Sequence, residues 1–159
     1  MHAANGIDDD FHLTLPPAVE SALACQELAA ADEALALLRN QTTLAFQPYL
    51  AAQAQRLEAL LLVARTTGDV NADVAADVAV EANLDIAAAQ LSAAADELGA
   101  FGAPYWQART QLDLAQLLIG RGGDRAAEGE IAAKQALSTF EALGTPLWAA
   151  RARRLIAGG

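Results

Sequence analysis

The chain has 159 residues, of which 54% are apolar but only 5% aromatic, and its formal charge at pH 7 is −10. A single domain of this length buries roughly 70% of its unfolded surface, and an interior made mainly of Ala, Leu and Val suits closely packed helices. The acidic balance argues against a nucleic-acid partner, and the lack of a long uncharged apolar run argues against a membrane span or a secretory signal.

Helical periodicity and turn residues predict seven helices. We expect a disordered acidic leader over residues 1–14, followed by one helical-repeat domain over residues 15–159. The helices are expected near residues 16–29, 31–39, 48–66, 71–98, 103–120, 124–143 and 146–157. No segment alternates apolar and polar residues as a strand does, so the predicted fold is all-α.

The first predicted helix contains the single cysteine, Cys25, between Leu23 and Leu28. One cysteine forms no internal disulfide, and in this pattern we expect it to be a small buried hydrophobe. Such cysteine usage fits a reducing compartment, so the predicted location is cytoplasmic.

A short phrase occurs twice in the second half of the chain. It reads GAPYW at residues 102–106 and GTPLW at residues 144–148, and a fainter copy begins at Pro48. Pro104 and Pro146 suit the first position of a helix, whereas Gly102 and Gly144 suit the left-handed turn that ends the preceding helix. Repeats with a period of this length are typical of stacked helical hairpins.

Each copy of the phrase places a tryptophan three positions before an arginine. The pairs are Trp106 with Arg109 and Trp148 with Arg151. On a helix this spacing lets the guanidinium lie over the indole ring, a contact worth about 0.5–1 kcal/mol when exposed. We therefore expect two equivalent cation–π pairs, one at each corner; a repeated ligand-contacting arginine is the alternative.

Four runs of the chain resemble the tetratricopeptide-like C-terminal regions of large actinobacterial signalling proteins, which join a cyclase or ATPase module to helical repeats. They are LAAADEALALL (28–38), PYLAAQAQRLEALLLVARTTGD (48–69), ADELGAFGAPYWQARTQLDLAQLLIGRGGDRAAE (95–128) and ALSTFEALGTPLWAARARRLIA (136–157). The resemblance implies a right-handed α-solenoid of about seven antiparallel helices that serves as a scaffold. No run looks like a cyclase core, a phosphate-binding loop or a helix-turn-helix, so the catalytic role of those proteins is not implied.

Catalysis lacks a suitable group of residues. Both histidines, His2 and His12, lie in the predicted leader, and the segment GRGGDR (120–125) places an aspartate where a phosphate-binding loop needs positive charge. Residues Asp8, Asp9, Asp10 and His12 could in principle bind a divalent ion, but an acidic tail is the commoner role of such a run. We predict a protein that is not an enzyme, with no cofactor and no metal.

The predicted function is the binding of a protein or peptide partner along the concave face of the solenoid. Candidate contacts are polar residues of the first helix of each pair, namely Gln53, Arg56, Arg109, Gln111 and Gln116. One alternative is a sensor of small molecules in which the Trp and Arg pairs border a pocket for an anion. Another is a homodimerisation module.

A run of acidic residues recurs at four-residue steps in the segment that leads into the fourth helix. It comprises Asp69, Asp73, Asp77, Glu81 and Asp85, which we call the acidic strip. On one continuous helix these residues form a slanted band in which neighbours repel each other. The strip is interpreted as a solvated face, or alternatively as a docking strip for a basic segment or for cations.

Overall fold

The computed structural model describes residues 11–40, 47–68 and 74–158. Over these ranges the chain forms seven α-helices and no strand, which confirms the predicted all-α class. The helices are α1 (Phe11–Ala24), α2 (Leu28–Asn40), α3 (Gln47–Gly68), α4 (Val74–Phe101), α5 (Pro104–Arg121), α6 (Gly123–Ala142) and α7 (Pro146–Gly158). From α2 onward, each helix begins and ends within three residues of its predicted bounds.

Helix α1 (Phe11–Ala24) differs most from its prediction, because it begins and ends five residues earlier than the predicted 16–29. Residues 11–14, assigned to the leader, therefore belong to α1, and residues 1–10 lie outside the described part of the chain. The predicted start, residue 16, is the first of two prolines, Pro16 and Pro17, that lie inside the observed helix. Leu15 and Val19 are buried in the core, and this burial outweighs the hydrogen bonds that the prolines inside the helix cannot donate.

The prediction for Cys25 is wrong, because this residue is exposed. Helix α1 ends at Ala24, so Cys25 falls in the turn before α2 and not on a helix face. The helical spacing of apolar residues continues in the sequence through this turn, and for that reason it predicted burial of Cys25 incorrectly.

Three of the helix junctions share one backbone geometry. Gly102 and Gly144 have φ values of 83° and 65°, which confirms the left-handed turns predicted at both corners. The residue after each glycine donates its N–H five residues back, Ala103 to Leu98 O at 2.9 Å and Thr145 to Phe140 O at 3.0 Å. This bond satisfies a carbonyl that the end of the helix would otherwise leave without a partner.

The third junction of this kind lies between α1 and α2 and contains no glycine. Gln26 has a φ of 61°, and Glu27 donates its N–H to Ala22 O at 2.9 Å, as at the two glycine corners. A residue with a Cβ is strained in this conformation. The turn therefore forms because packing of α2 on α1 outweighs the strain.

Each helix packs against the next one along the chain. Ala108 of α5 shares one apolar cluster with Phe140 of α6 and Ala149 of α7, whereas Ala115 shares another with Ala133 and the C-terminal end of α7. Helices α5 and α7 therefore run parallel to each other on the same side of α6. This arrangement brings the two copies of the repeated phrase side by side.

Small residues allow α5 and α6 to approach closely. A Cβ at Gly129 would lie 3.0 Å from the backbone oxygen of Ala115 and 3.0 Å from the backbone nitrogen of Ile119. The core elsewhere consists mainly of alanine and leucine, as the composition indicates.

Candidate functional site

Side chains from all four odd-numbered helices meet in one cluster. Glu20 comes from α1, Arg56 from α3, and Arg109 and Asp113 from α5, while Trp148 of α7 contacts the edge of this group. The cluster holds two guanidinium groups and two carboxylates, so its formal charges cancel. It links helices that are distant in the chain.

Arg56 lies at the centre of the cluster, with 1% of its side chain exposed. Its Nε donates to Asp113 Oδ2 at 2.8 Å, and its Nη1 donates to Glu20 Oε1 at 2.6 Å. Burial disfavours the charged form, but the carboxylates of Asp113 and Glu20 outweigh burial and raise the pKa of Arg56 above its ordinary value. The buried arginine therefore stays charged and connects α1, α3 and α5.

Arg109 is the second arginine of the cluster. Its Nη2 donates to the same Glu20 oxygen at 3.0 Å, and its Nη1 donates to the hydroxyl of Tyr105 at 3.4 Å. Its Nε is buried without a hydrogen-bond partner. Only 11% of the side chain is exposed, so Arg109 offers little surface to a partner.

Arginines and tryptophans alternate from this cluster across to α7. The Cζ atoms of Arg56 and Arg109 both lie 5.6 Å from the centroid of Trp106, and those of Arg109 and Arg151 lie 3.7 Å and 4.7 Å from the centroid of Trp148. We call these five residues the arginine–tryptophan ladder. The two predicted cation–π pairs are confirmed, and the sequence did not predict that Arg109 would join them.

The two tryptophans occupy equivalent surroundings. Each has one arginine from its own helix, three positions later, and one from the preceding odd-numbered helix. The tyrosine contacts repeat as well. Gln53 donates to the Tyr49 hydroxyl at 3.3 Å, and Arg109 donates to the Tyr105 hydroxyl; in both pairs the donor lies four positions after the tyrosine. The internal repeat is thus expressed in side-chain contacts as well as in backbone turns.

A cavity of about 440 Å³ lies between α5 and α7, beside the ladder. It is lined by Leu112, Asp113, Gln116, Arg151, Arg154 and Leu155. Asp113 is already paired with Arg56, so its charge is balanced on the protein side. The lining of this cavity therefore carries a surplus of positive charge.

Two arginines in the cavity have no carboxylate partner within the part of the chain that the structure describes. All ten basic residues lie in the described ranges, and eight of them pair there with Asp or Glu. The two that find no carboxylate among the described residues are Arg151 and Arg154, and both line the same cavity. In a chain of net charge −10, these two arginines concentrate positive charge at one cavity.

A second cavity of about 350 Å³ lies between α3, α4 and α5. Most of its lining is apolar, with Asp113, Gln116 and Arg121 among its polar residues. The apolar residues are Leu60, Val63, Leu84, Leu91 and Leu117. Asp113 and Gln116 border both cavities, so the basic and apolar cavities are neighbours along α5.

The structure separates the five predicted contact residues. Gln53 and Arg56 are buried, so in this structure they present no surface to a partner. Their side chains point into the packed interface between helices because they hold Tyr49 and the acidic residues of the cluster. Gln111 is half-buried and borders neither cavity, whereas Gln116 is exposed and borders both.

The acidic strip is only partly described. Asp69 and Asp73 lie outside the described residues, whereas Asp77, Glu81 and Asp85 follow each other at one-turn intervals on α4. All three described members are exposed. The described part of the strip therefore lies on a solvent-facing side of α4, in the N-terminal half of that helix.

Arginines of neighbouring helices neutralise part of the acidic strip. Arg121 of α5 pairs with Glu81 and, at 2.7 Å, with Asp85, which also lies 3.1 Å from Arg125 of α6. The hydrogen bond from Arg121 is the largest influence on Asp85 and holds the pKa of its carboxyl below the ordinary value. These pairs join α4 to α5 and α6 and leave less charge for an external cation.

Sequence reasoning missed Glu20, Asp113 and Arg154. Asp113 lies 57 positions from its partner Arg56, so the pairing could not be inferred from local spacing. A weaker signal was present, because Asp113 has leucine on both sides and a charged residue within an apolar run often has a buried partner. No comparable signal distinguishes Arg154 from its neighbour Arg153.

No helix in the described part of the chain is long and apolar enough to cross a membrane. The described residues also contain no group of three or more His, Cys, Asp or Glu side chains placed to hold a metal ion. Comparison with protein-family models, with curated proteins and with solved structures finds no match for this chain.

Proposed function

We propose that the chain is a non-catalytic helical-repeat module that binds an acidic segment of a protein partner. In this proposal the antiparallel helices form a right-handed, tetratricopeptide-like solenoid whose odd-numbered helices line the binding face. The role is that of a regulatory scaffold, as in the signalling proteins that the sequence resembles. A solenoid suits this role because it presents side chains at fixed spacing to an extended partner.

The observation that carries the proposal is the pair of arginines that find no carboxylate partner among the described residues. Arg151 and Arg154 line one cavity, and Gln116 offers an exposed amide beside them. Guanidinium groups recognise carboxylates through paired, charge-assisted hydrogen bonds. An acidic partner therefore matches this face, although the chain as a whole is acidic.

The cluster around Arg56 supports the proposal by making the face rigid. The buried ion pairs and the arginine–tryptophan ladder connect α1, α3, α5 and α7 before any partner arrives. A pre-organised surface loses less conformational entropy on binding than a flexible one. Apart from Arg151, which also stacks on Trp148, the residues that order the face are distinct from those that we expect to touch the partner.

The test measures binding of short labelled peptides by fluorescence anisotropy at low salt. Peptides of equal length with acidic, neutral and basic sequences are compared, and we expect only the acidic peptide to bind, with affinity that falls as salt is added. The variants Arg151→Gln and Arg154→Gln should each weaken binding. Arg153→Gln is the matched control, because Arg153 lies on the same helix but pairs with Glu141.

Two results would contradict the proposal. Binding of the basic peptide alone would instead favour the acidic strip as the docking surface. No binding by any peptide of the panel would refute the peptide-binding role itself.

A further inference from the structure

The basic cavity and the apolar cavity share one turn of α5. Asp113 and Gln116 border both of them and lie three positions apart, a rise of about 4.5 Å along the helix. In an extended peptide, side chains two positions apart point the same way and are separated by roughly 7 Å. One short segment of a partner can therefore reach both cavities at once.

The apolar cavity is large enough for a bulky side chain. Its volume is about 350 Å³, and five leucine or valine side chains contribute to its lining. An apolar protein cavity of about 150 Å³ already accommodates benzene. A Leu or Phe side chain therefore fits, and its burial removes apolar surface of both molecules from water.

Gln116 lies between the two cavities with an exposed amide for which the described residues provide no hydrogen-bond partner. A glutamine amide both donates and accepts, so it can pair with the N–H and C=O groups of an extended peptide backbone. Arg56 already balances the charge of Asp113, which reduces repulsion of an incoming carboxylate. The surface between the cavities is thus suited to main-chain contacts.

We propose that the recognised segment carries a large apolar residue within two positions of Asp or Glu. The apolar side chain enters the cavity between α3, α4 and α5, the carboxylate pairs with Arg151 and Arg154, and Gln116 binds the backbone between them. This inference rests on the proposed function and names the kind of partner that the same face selects.

The experiment compares two labelled acidic peptides that differ only by a Leu→Ser substitution two positions before a glutamate. We expect the leucine peptide to bind about tenfold more tightly or better, the effect of burying one such side chain. Val63→Phe narrows the apolar cavity and should remove this advantage without weakening the serine peptide. Leu147→Phe is the control, since Leu147 is exposed on α7 and borders neither cavity.

The outcomes separate this inference from the proposed function. Equal affinity of the two peptides overturns the inference and leaves acidic-peptide binding intact. Absence of binding by both peptides overturns the proposed function. In that case, binding of free decanoate identifies a small amphipathic acid as the occupant of the two cavities. The peptide pair needs no protein variant, so the test holds even if Val63→Phe does not fold.

Discussion

Replacing Asp113 with asparagine isolates the role of the buried ion pair. Asp113 accepts from Arg56 Nε at 2.8 Å and lies 2.7 Å from its Nη2, and asparagine keeps the shape while removing the charge. The guanidinium is 1% exposed and does not lose its proton at any ordinary pH, so it cannot escape by becoming neutral. Glu20 remains as its single carboxylate partner, and it is shared with Arg109.

Breaking a buried pair by removing one partner costs about 3–5 kcal/mol. The Asp113 and Glu20 side chains are 20% and 25% exposed, so water partly solvates the acidic side of the cluster. We therefore expect a loss near the lower limit, about 3 kcal/mol. For a chain of this size that loss lowers the melting temperature by about 6–12 °C.

The measurement is urea unfolding followed by tryptophan fluorescence and circular dichroism, because both tryptophans belong to the ladder. The double variant Arg56→Met/Asp113→Asn is the decisive companion, since it removes both charges and keeps the apolar volume of the arginine stem. We expect it to recover at least about 1 kcal/mol relative to Asp113→Asn alone. A loss below about 1 kcal/mol for Asp113→Asn, or a double variant no more stable than the single one, would refute the reasoning.

Three further predictions concern single positions. Gln26→Gly should stabilise the fold by about 0.5–1 kcal/mol in urea unfolding, because it relieves a positive φ; an unchanged midpoint would contradict this. Gly129→Ala should cost about 2 kcal/mol or more, since its Cβ meets the backbone of α5, whereas Gly99→Ala meets only the movable end of a side chain and should stay within about 1 kcal/mol of the wild type. The pKa of Asp85 is lowered in the fold, so its ion pairs stabilise the protein above the ordinary carboxyl pKa and are lost as pH falls through the lowered value. Asp85→Asn should therefore flatten the acid limb of a stability profile as pH falls below the ordinary carboxyl pKa, and a superimposable limb would count against this.

The helices were predictable because their signals are local. Apolar spacing and the Gly-to-Pro corners placed six of the seven helices, and the repeated phrase identified Gly102 and Gly144 as left-handed turns. The corner at Gln26 was missed since nothing in its local sequence favours a positive φ. Because this turn was missed, the first predicted helix continues five residues beyond the observed end, and Cys25 was expected to be buried although it is exposed.

The candidate site was predictable only in part. The pairs of Trp106 with Arg109 and Trp148 with Arg151 followed from helical spacing, whereas the contact of Arg109 with Trp148 joins residues of two different helices. Gln53 is a polar residue on a helix, which suggests a surface position, but its side chain is buried. A polar side chain on a helix gives no local sign of which neighbours will cover it.

The sequence alone determined the all-α class, most of the helix bounds and the two glycine corners, since each depends on interactions within a few residues. Tertiary structure decided which charges are buried, which are paired and which are left without a partner. An arginine is buried and paired, as Arg56 is, or exposed beside a cavity, as Arg154 is, depending on the helices that pack beside it. These helices come from distant parts of the chain. The energy of a charge is set by its distance to others and by its exposure to water, and neither exists until the helices have packed.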